Sequence, residues 1–591
     1  MSRSVLLAST LLTLSACSLP FDVGPMAVSS QCTVDNDCGA SGVCIEEACV
    51  STKADLGGLI LQIDVPVGAS YAQGTSHLLR PENLTGSRNQ GFIIDQDLIL
   101  PELAAVTVSM AVSADAFPTC SGAETTIELA PANAPAGISL PPFTTSATLT
   151  PCTEGECAGQ LVVEAVVSVP AGVYDIYLRP VANTPNTSGV DTIACDLPPA
   201  VLESHSIDAG SVQVTIDGGQ PSIVTGAIEG YSAIAGFTID IVENRHGRII
   251  STQQILGEPQ FALQFWPQVM EGEGVEGVIR LVPPKEQQAM GIPTIFWKLE
   301  ALQIFGTGGE VNLSLANLDP SEAVAVTGKV VTADGDSTVL PAQLAIRSTE
   351  LLGGQLSGTA IYTRTLETDE DLNFSLSLLP GKYDVIANPN DDDYAVTRDQ
   401  LTILSGSDQG GKTIEVDLKT KLAGAARLAS GSPAFDVSVA LSPTFIGAPT
   451  FLKSQLNQDL SLGTSASTTT DGQGAFEVAV DSGTYTLWLH PDPNSGLPWA
   501  VLSRLTVPEV RSEAVPKVDL VIGNPVVLSG TVRSPTGDRI EGARIRAWLA
   551  PPKLDADAEE PSVIQIGAVT SQGLGRYELL LPPSINASTS L

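Results

Sequence analysis

Four histidines in 591 residues, His77, His205, His246 and His490, leave little material for a histidine-rich metal or general-base centre. Basic side chains are also scarce: 29 Lys and Arg against 66 Asp and Glu give a formal charge of −37. That deficit excludes nucleic acid as a partner, because phosphate binding needs basic surface that releases counterions. No apolar run reaches the roughly 20 residues that a membrane-spanning helix requires. Neither H-E-x-x-H nor G-x-S-x-G occurs, which removes the usual signatures of zinc peptidases and α/β-hydrolases. Charged residues are only 16% of the chain, but hydrophobic ones are 43%, so this is not a disordered acidic tail. What the chain has in quantity is turn material, 54 Gly and 41 Pro, spread over a length that suggests about three to six domains. Many short strands punctuated by turns are expected, an all-β chain.

The first residues carry an address. Arg3 provides a positive n-region, Val5 to Leu14 an apolar stretch, and Leu14-Ser15-Ala16-Cys17 a cleavage region, the layout of a secretory signal. The tetrad resembles the lipobox of bacterial lipoproteins. The resemblance implies a diacylglyceryl group on Cys17, cleavage before it and acylation of the new amino group, more than the two signals that stable anchoring takes. An ordinary signal peptide with a chance cysteine is the alternative. Ser18 follows, where the family's inner-membrane retention residue is usually Asp, so the resemblance implies an outer-membrane or cell-surface location.

Removing Cys17 leaves eight cysteines in two clusters: Cys32, Cys38, Cys44, Cys49, and Cys120, Cys152, Cys157, Cys195. The first cluster has almost no apolar residues between its cysteines, so covalent bridges must hold it. It resembles the small Cys-rich modules that follow the lipobox in exported lipoproteins of some Gram-negative bacteria. Zinc is the rival reading, but CxxC pairs are missing and an exported chain meets an oxidising compartment. Each cluster allows three pairings, and sequence does not choose among them. Asp35 and Asp37 are read as a solvated loop before a calcium site.

Beyond about residue 57 the chain repeats itself. Val224-Thr225-Gly226, Val326-Thr327-Gly328, Leu422-Ala423-Gly424 and Leu528-Ser529-Gly530 are strand starts about a hundred residues apart. A period that long means tandem domains of immunoglobulin size rather than solenoid turns. A T-(D/S)-x-x-x-x-aromatic element follows: Thr368-Asp369 before Phe374, Thr470-Asp471 before Phe476, Thr570-Ser571 before Tyr577. Gly-x-Tyr hairpins come next, at Gly381-Lys382-Tyr383 and Gly483-Thr484-Tyr485, with a further one at Gly172-Val173-Tyr174. These residues resemble the carboxypeptidase regulatory-like repeat, a seven-stranded transthyretin-like β-sandwich. The match is good at 325–420, 420–522 and 524–583, weaker at 57–220, and weakest at 221–320, which lacks a Gly-x-Tyr. Its motifs concern turns and core and carry no catalysis.

The expected organisation is a signal peptide (1–16), a lipidated linker with the Cys-rich module (17–56), and a disulfide-containing sandwich (57–220). A divergent sandwich (221–324), two repeats (325–419 and 420–522) and a last repeat (523–591) follow. That last repeat stops where its Gly-x-Tyr hairpin is due, as a fragment or a degenerate domain would. Separate cores joined by short connections should make an elongated string.

Chemical motifs mostly cancel. Gly406 to Thr413 satisfies G-x4-G-K-T, but Thr413-Ile414-Glu415-Val416-Asp417-Leu418 alternates as a strand, whereas a phosphate loop opens a helix. His246 is read as a turn residue, and His490 as ending a strand. A triad assembled from distant parts stays open, since triads are recognised by geometry. Asp369-Glu370-Asp371 and Asp391-Asp392-Asp393 are solvated loops that could hold calcium weakly. Of the tryptophans, Trp488 is read as core and Trp499 as the best exposed candidate for ligand stacking. No catalytic residue, metal site or cofactor is assigned. The favoured function is a non-catalytic, membrane-anchored envelope lipoprotein that binds, adheres or scaffolds, with an envelope protein or polysaccharide as partner. The alternative is an exported hydrolase, or its accessory subunit, with a site in 57–320.

Overall fold

A computed structural model of the chain describes residues 32–38, 42–45, 48–51, 56, 58–67, 71, 75–80, 93–135, 137–180, 195–218, 220–244, 246–266, 277–299, 309–333, 337–406, 409–444, 463–508, 517–550 and 562–585. The signal region and Cys17 lie outside them. Alternating sequences become strands with alternating burial: in Ala475–Val480 and Lys517–Ile522 every second residue is buried. Among the described residues the only α-helix is the short Lys285–Ala289. The all-β reading holds.

The strands assemble into five two-sheet units. In the first, Leu103–Ser113 lies between Gln160–Pro170 and the parallel Ser211–Gly218, and the facing sheet runs Ala200–Ile207, Gly172–Pro180, Glu124–Pro131, Phe143–Thr148. The second centres on Ser222–Glu229 and Thr238–Glu243, the third on Val324–Thr332 and Ala342–Leu351, and the fourth on Thr420–Leu428 and Ser438–Pro443. In each, the first strand pairs in parallel with the last one of its unit.

The repeat glycines have a steric reason. Gly226, Gly328 and Gly424 sit directly opposite Phe261, Phe374 and Phe476 on the antiparallel neighbour. A Cβ at these glycines would come 2.5, 2.5 and 2.3 Å from the phenylalanine Cζ. The ring occupies the place of the missing side chain. Gly530 is likewise opposite Tyr577, but a Cβ there would meet the Gln96 carbonyl oxygen at 2.1 Å rather than the ring. The region 221–320 therefore shares the repeat's core pair although it lacks the tyrosine hairpin.

The fifth unit departs from the sequence expectation. Its C-terminal strands Val526–Arg533, Arg544–Leu549, Ile564–Thr570 and Arg576–Leu581 make only part of a sandwich. The rest comes from the start of the chain: Ile60–Asp64 pairs antiparallel with Arg544–Leu549, and Ser76–Leu79 pairs with Ile60–Asp64. Ile93–Asp95 and Leu98–Ile99 run parallel to Val526–Arg533 and take the place of a unit's last strand. The place of the missing hairpin is thus taken by Ile60–Asp64 and Ser76–Leu79, and 57–220 is not one domain: these two strands, Ile93–Asp95 and Leu98–Ile99 belong with the strands of 523–591. The physical cause is edge satisfaction: Ile60–Asp64, paired with Ser76–Leu79 on one side, has its other edge covered by Arg544–Leu549, and Ile93–Asp95 covers the open edge of Val526–Arg533.

Core packing also modifies the picture of separate beads. The fourth unit has a core of its own, from Leu422 to Ile522. The fifth has another, joining Leu61, Ile63, Leu98 and Leu100 to Val526, Leu528, Ile545 and Ile566. The first three share one continuous apolar cluster. Trp266 of the second unit packs on Phe117 of the first, ring centres 6.0 Å apart, and donates to the Pro198 carbonyl at 2.9 Å. The fifth unit touches the fourth, where Trp488 donates to the Gln565 carbonyl, and the first, where Gly137 lies against Val563.

Candidate functional site

The densest polar cluster lies where the first unit meets the second. Gly172–Pro180 carries the first Gly-x-Tyr hairpin, and strand alternation sends Tyr174 and Ile176 inward. Tyr174 is fixed by a hydrogen bond from its hydroxyl to the Pro170 carbonyl four residues back, 2.8 Å, and Tyr383 repeats this with Leu379 at 2.7 Å. Burial raises the pKa of both phenols.

Asp175 and Tyr177 face the second unit instead. Asp175, 1% exposed, accepts from the Ser204 backbone N–H at 2.9 Å and lies 3.1 Å from His246 Nε2. His246 sits in the turn after Thr238–Glu243, held by its N–H donating to Glu243 Oε1 at 2.8 Å. Tyr177 donates to the Ile249 carbonyl at 2.7 Å, and the Arg248 guanidinium lies 5.6 Å from its ring while pairing with Glu128 at 2.9 Å. Burial pushes the Tyr177 hydroxyl up to about 12. Next to this cluster, fully buried Asp240 takes both Arg280 Nε (3.0 Å) and Nη2 (2.7 Å), and Gln253 as well.

A buried carboxylate against a half-exposed imidazole is two-thirds of a triad. Among the described residues no hydroxyl or thiol is hydrogen-bonded to the histidine ring. Ser251, the nearest serine along the chain, accepts from Ile241 N–H and donates to the Thr252 carbonyl. The geometry is that of a junction in which charges and donors satisfy one another. Sequence reading took His246 for a plain turn; the only hint was the Asp after Gly-x-Tyr, which recurs as Asp384, buried beside Arg398 and Gln400.

Two open clefts lie between later units. One, of about 590 Å³, is lined by Asp319, Glu350, Lys382 and Leu404, and another, of about 710 Å³, by Asn388, Tyr394, Lys419 and Glu477.

The eight cysteines form Cys32–Cys44, Cys38–Cys49, Cys120–Cys195 and Cys152–Cys157. The sulfurs of Cys32, Cys38 and Cys49 cluster because two bridges lie side by side. Asp37 accepts from the Thr33 and Val34 N–H groups, which holds its carboxyl below the usual range and closes a loop. Asp369 and Asp471 each accept two backbone N–H groups of their own turn. Thr470 Oγ1 binds Val437 N–H and the Ala434 carbonyl, and Ser571 Oγ binds Ala543 N–H and the Ile540 carbonyl. The motif register in the last repeat is therefore Ser571-Gln572, one residue later than the sequence suggested.

The Gly406–Thr413 stretch joins Thr397–Ile403 to the strand Gln409–Val416, and no helix opens there. Trp488 is not core to its own unit but reaches the fifth. Trp499 is half-buried with its ring 4.2 Å from that of His490, so it is not the open platform expected.

No protein family matches the chain, and no curated protein does. Among solved structures the chain is similar to a streptococcal ancillary pilin, at 12% identity over 51% of this chain and 99% of that one, TM-score 0.20. It is similar to the Bacillus anthracis TIE protein at 12% over 68% and 69%, TM-score 0.14. A third likeness is the shaft pilin SpaA of Lactobacillus rhamnosus GG, at 12% over 34% and 98%, TM-score 0.17. Likenesses at TM-scores this low carry no argument about this chain.

Proposed function

We propose that the chain is a non-catalytic cell-envelope protein that presents transthyretin-like β-sandwiches for binding or scaffolding of an envelope protein or polysaccharide. One observation carries the reading: the recurring residues are consumed by the fold. Glycines receive phenylalanine rings, motif Thr, Ser and Asp fasten turns, and tyrosines lock hairpins. Recurrence of that kind serves the architecture, and function then resides in exposed loops and clefts between units. Export is supported by the signal-like N-terminus and the four disulfides.

Lipidation of Cys17 would tether the molecule beside its fifth unit. The Cys-rich module touches the connection into that unit, with Asn524 donating to the Cys38 carbonyl and Ser51 N–H to the Pro525 carbonyl. Fractionation tests the anchor: wild-type protein should pellet with membranes, and Cys17→Ala should be soluble or unprocessed. Sedimentation of the purified full chain with envelope polysaccharide tests the binding role, with retention and no product expected. Product release abolished by His246→Ala would overturn it in favour of a hydrolase built on the Asp175–His246 pair.

A further inference from the structure

We infer that residues 56–100 act as a donor segment that can complete the 524–585 half-sandwich of a second copy of this chain, linking molecules by exchange. The inference rests on the strand pairing of the fifth unit and is independent of the anchoring and binding roles proposed above.

The seam between donor and acceptor has the character of a recognition interface. From the donor, Leu61, Ile63, Leu98 and Leu100 are at most 2% exposed, packed on Leu528, Val532, Ile545 and Ala547 of the acceptor. Without the donor, both acceptor sheets end on apolar faces and unpaired edges, the situation that drives strand addition. Polar contacts fix the register and have a consistent sign. Donor Asp64 lies 2.6 Å from acceptor Arg546, and donor Asp97 lies 2.7 Å from acceptor Arg533. Asp97 also accepts from Thr531 N–H at 2.9 Å, and Tyr577 donates to the Gln96 carbonyl at 2.7 Å. The donor supplies carboxylates and the acceptor guanidiniums, so two donors or two acceptors do not pair with each other.

Connectivity makes exchange feasible. No disulfide crosses the seam: two bridges lie within 32–49 and two within 120–195. At its C-terminal end the donor joins the first unit through the short connection between Leu98–Ile99 and Leu103–Ser113, which contains Pro101; at its N-terminal end it continues from the Cys-rich module, whose contacts with Asn524 and Pro525 are exchanged with it. Closure within one molecule joins residues more than 400 positions apart across four intervening units, and the same contacts between two molecules replace that loop closure by a concentration-dependent association. A short connection of this kind is where domain exchange hinges.

The test uses two full-length variants in the Cys17→Ala background. One carries Asp64→Arg and Asp97→Arg with a tag near its N-terminus; the other carries Arg533→Asp and Arg546→Asp with a tag at its C-terminus. Each alone sets like charges across its own seam, but in a mixture the acidic donor of the second meets the basic acceptor of the first. Both are unfolded without reductant, refolded separately and together, and sized by light scattering. The mixture should give species of at least twice the chain mass, about tenfold more abundant than from either variant alone, a bias of about 1.4 kcal/mol. Cleavage at a protease site inserted between Pro101 and Glu102 then reports which donor sits in which acceptor: co-capture of the two half-molecules from different chains supports exchange. Should the variants fail to fold, two differently tagged wild-type chains, refolded together at high concentration and cut in the same way, give the same readout. Monomers alone at every concentration, or donor recovered only with its own acceptor, would overturn the proposal.

Discussion

His77 shows how burial tunes a single residue. It is 2% exposed on Ser76–Leu79, its Nε2 2.8 Å from Thr75 Oγ1, and burial lowers its pKa from 6.5 to about 4 despite the nearby Asp64. The folded state thus holds the ring neutral, and the unfolded chain binds the extra proton between about pH 6.5 and 4. Stability is therefore intact above this window and falls as pH drops through it, by about 3 kcal/mol at the acid end. His77→Gln, which keeps a donor near Thr75, should remove that part of the acid sensitivity, read as a flatter slope of unfolding free energy between pH 6.5 and 4. An unchanged slope would mean the ring is already solvated. Gly424 gives a second residue-scale expectation. Its Cβ position lies 2.3 Å from Phe476 Cζ and 2.4 Å from the Val518 carbonyl, so Gly424→Ala must displace both a core ring and a backbone. Overpacking of this kind costs about 1–3 kcal/mol, and the lower melting temperature of the fourth unit checks it.

Among elements, legibility in the sequence followed locality. The apolar-x-Gly strands, the Thr-Asp turns and the Gly-x-Tyr hairpins could be located because each is specified by residues within ten positions of one another. The Gly–Phe pair of the second unit was missed because Gly226 and Phe261 meet only across the sheet, without the turn motif that marks Phe374 and Phe476. The Asp175–His246 contact was equally hidden, since it joins two units through a buried carboxylate that alternation alone would assign to solvent. Trp499 looked exposed because it follows a Gly-Leu-Pro loop, yet His490 lies over its ring. These differences predict unequal independence of the units. The fourth has its own core between Leu422 and Ile522, so the excised 420–522 should fold cooperatively, monitored by circular dichroism on heating. The excised 524–591 lacks Leu61, Ile63, Leu98 and Leu100, and should remain unfolded under the same conditions. A sharp transition for the latter would show that the half-sandwich needs no completion.

At the scale of the whole molecule, completion of the fifth unit changes what the repeats build. Sequence reading gave an open string, because a linear pattern of about a hundred residues offers no sign that its first strands belong to its last unit. Since the fifth unit touches both the fourth and the first, the sequence of contacts returns to its start. Disulfides give a clean way to measure this, because none ties 32–100 to the rest. With a protease site inserted between Pro101 and Glu102, a single cut should leave the chain at its full native mass, the N-terminal piece held by apolar burial and by the Asp64–Arg546 and Asp97–Arg533 pairs. Denaturant alone, with no reductant, should then release that piece. The exposed parts of both ion pairs contribute only about 0.2–1 kcal/mol each, so 1 M salt should weaken the association modestly and leave it intact. Spontaneous release of the piece after cutting, in native buffer and without denaturant, would show that the ends do not hold one another, and the molecule would then be the open string that its repeats suggest.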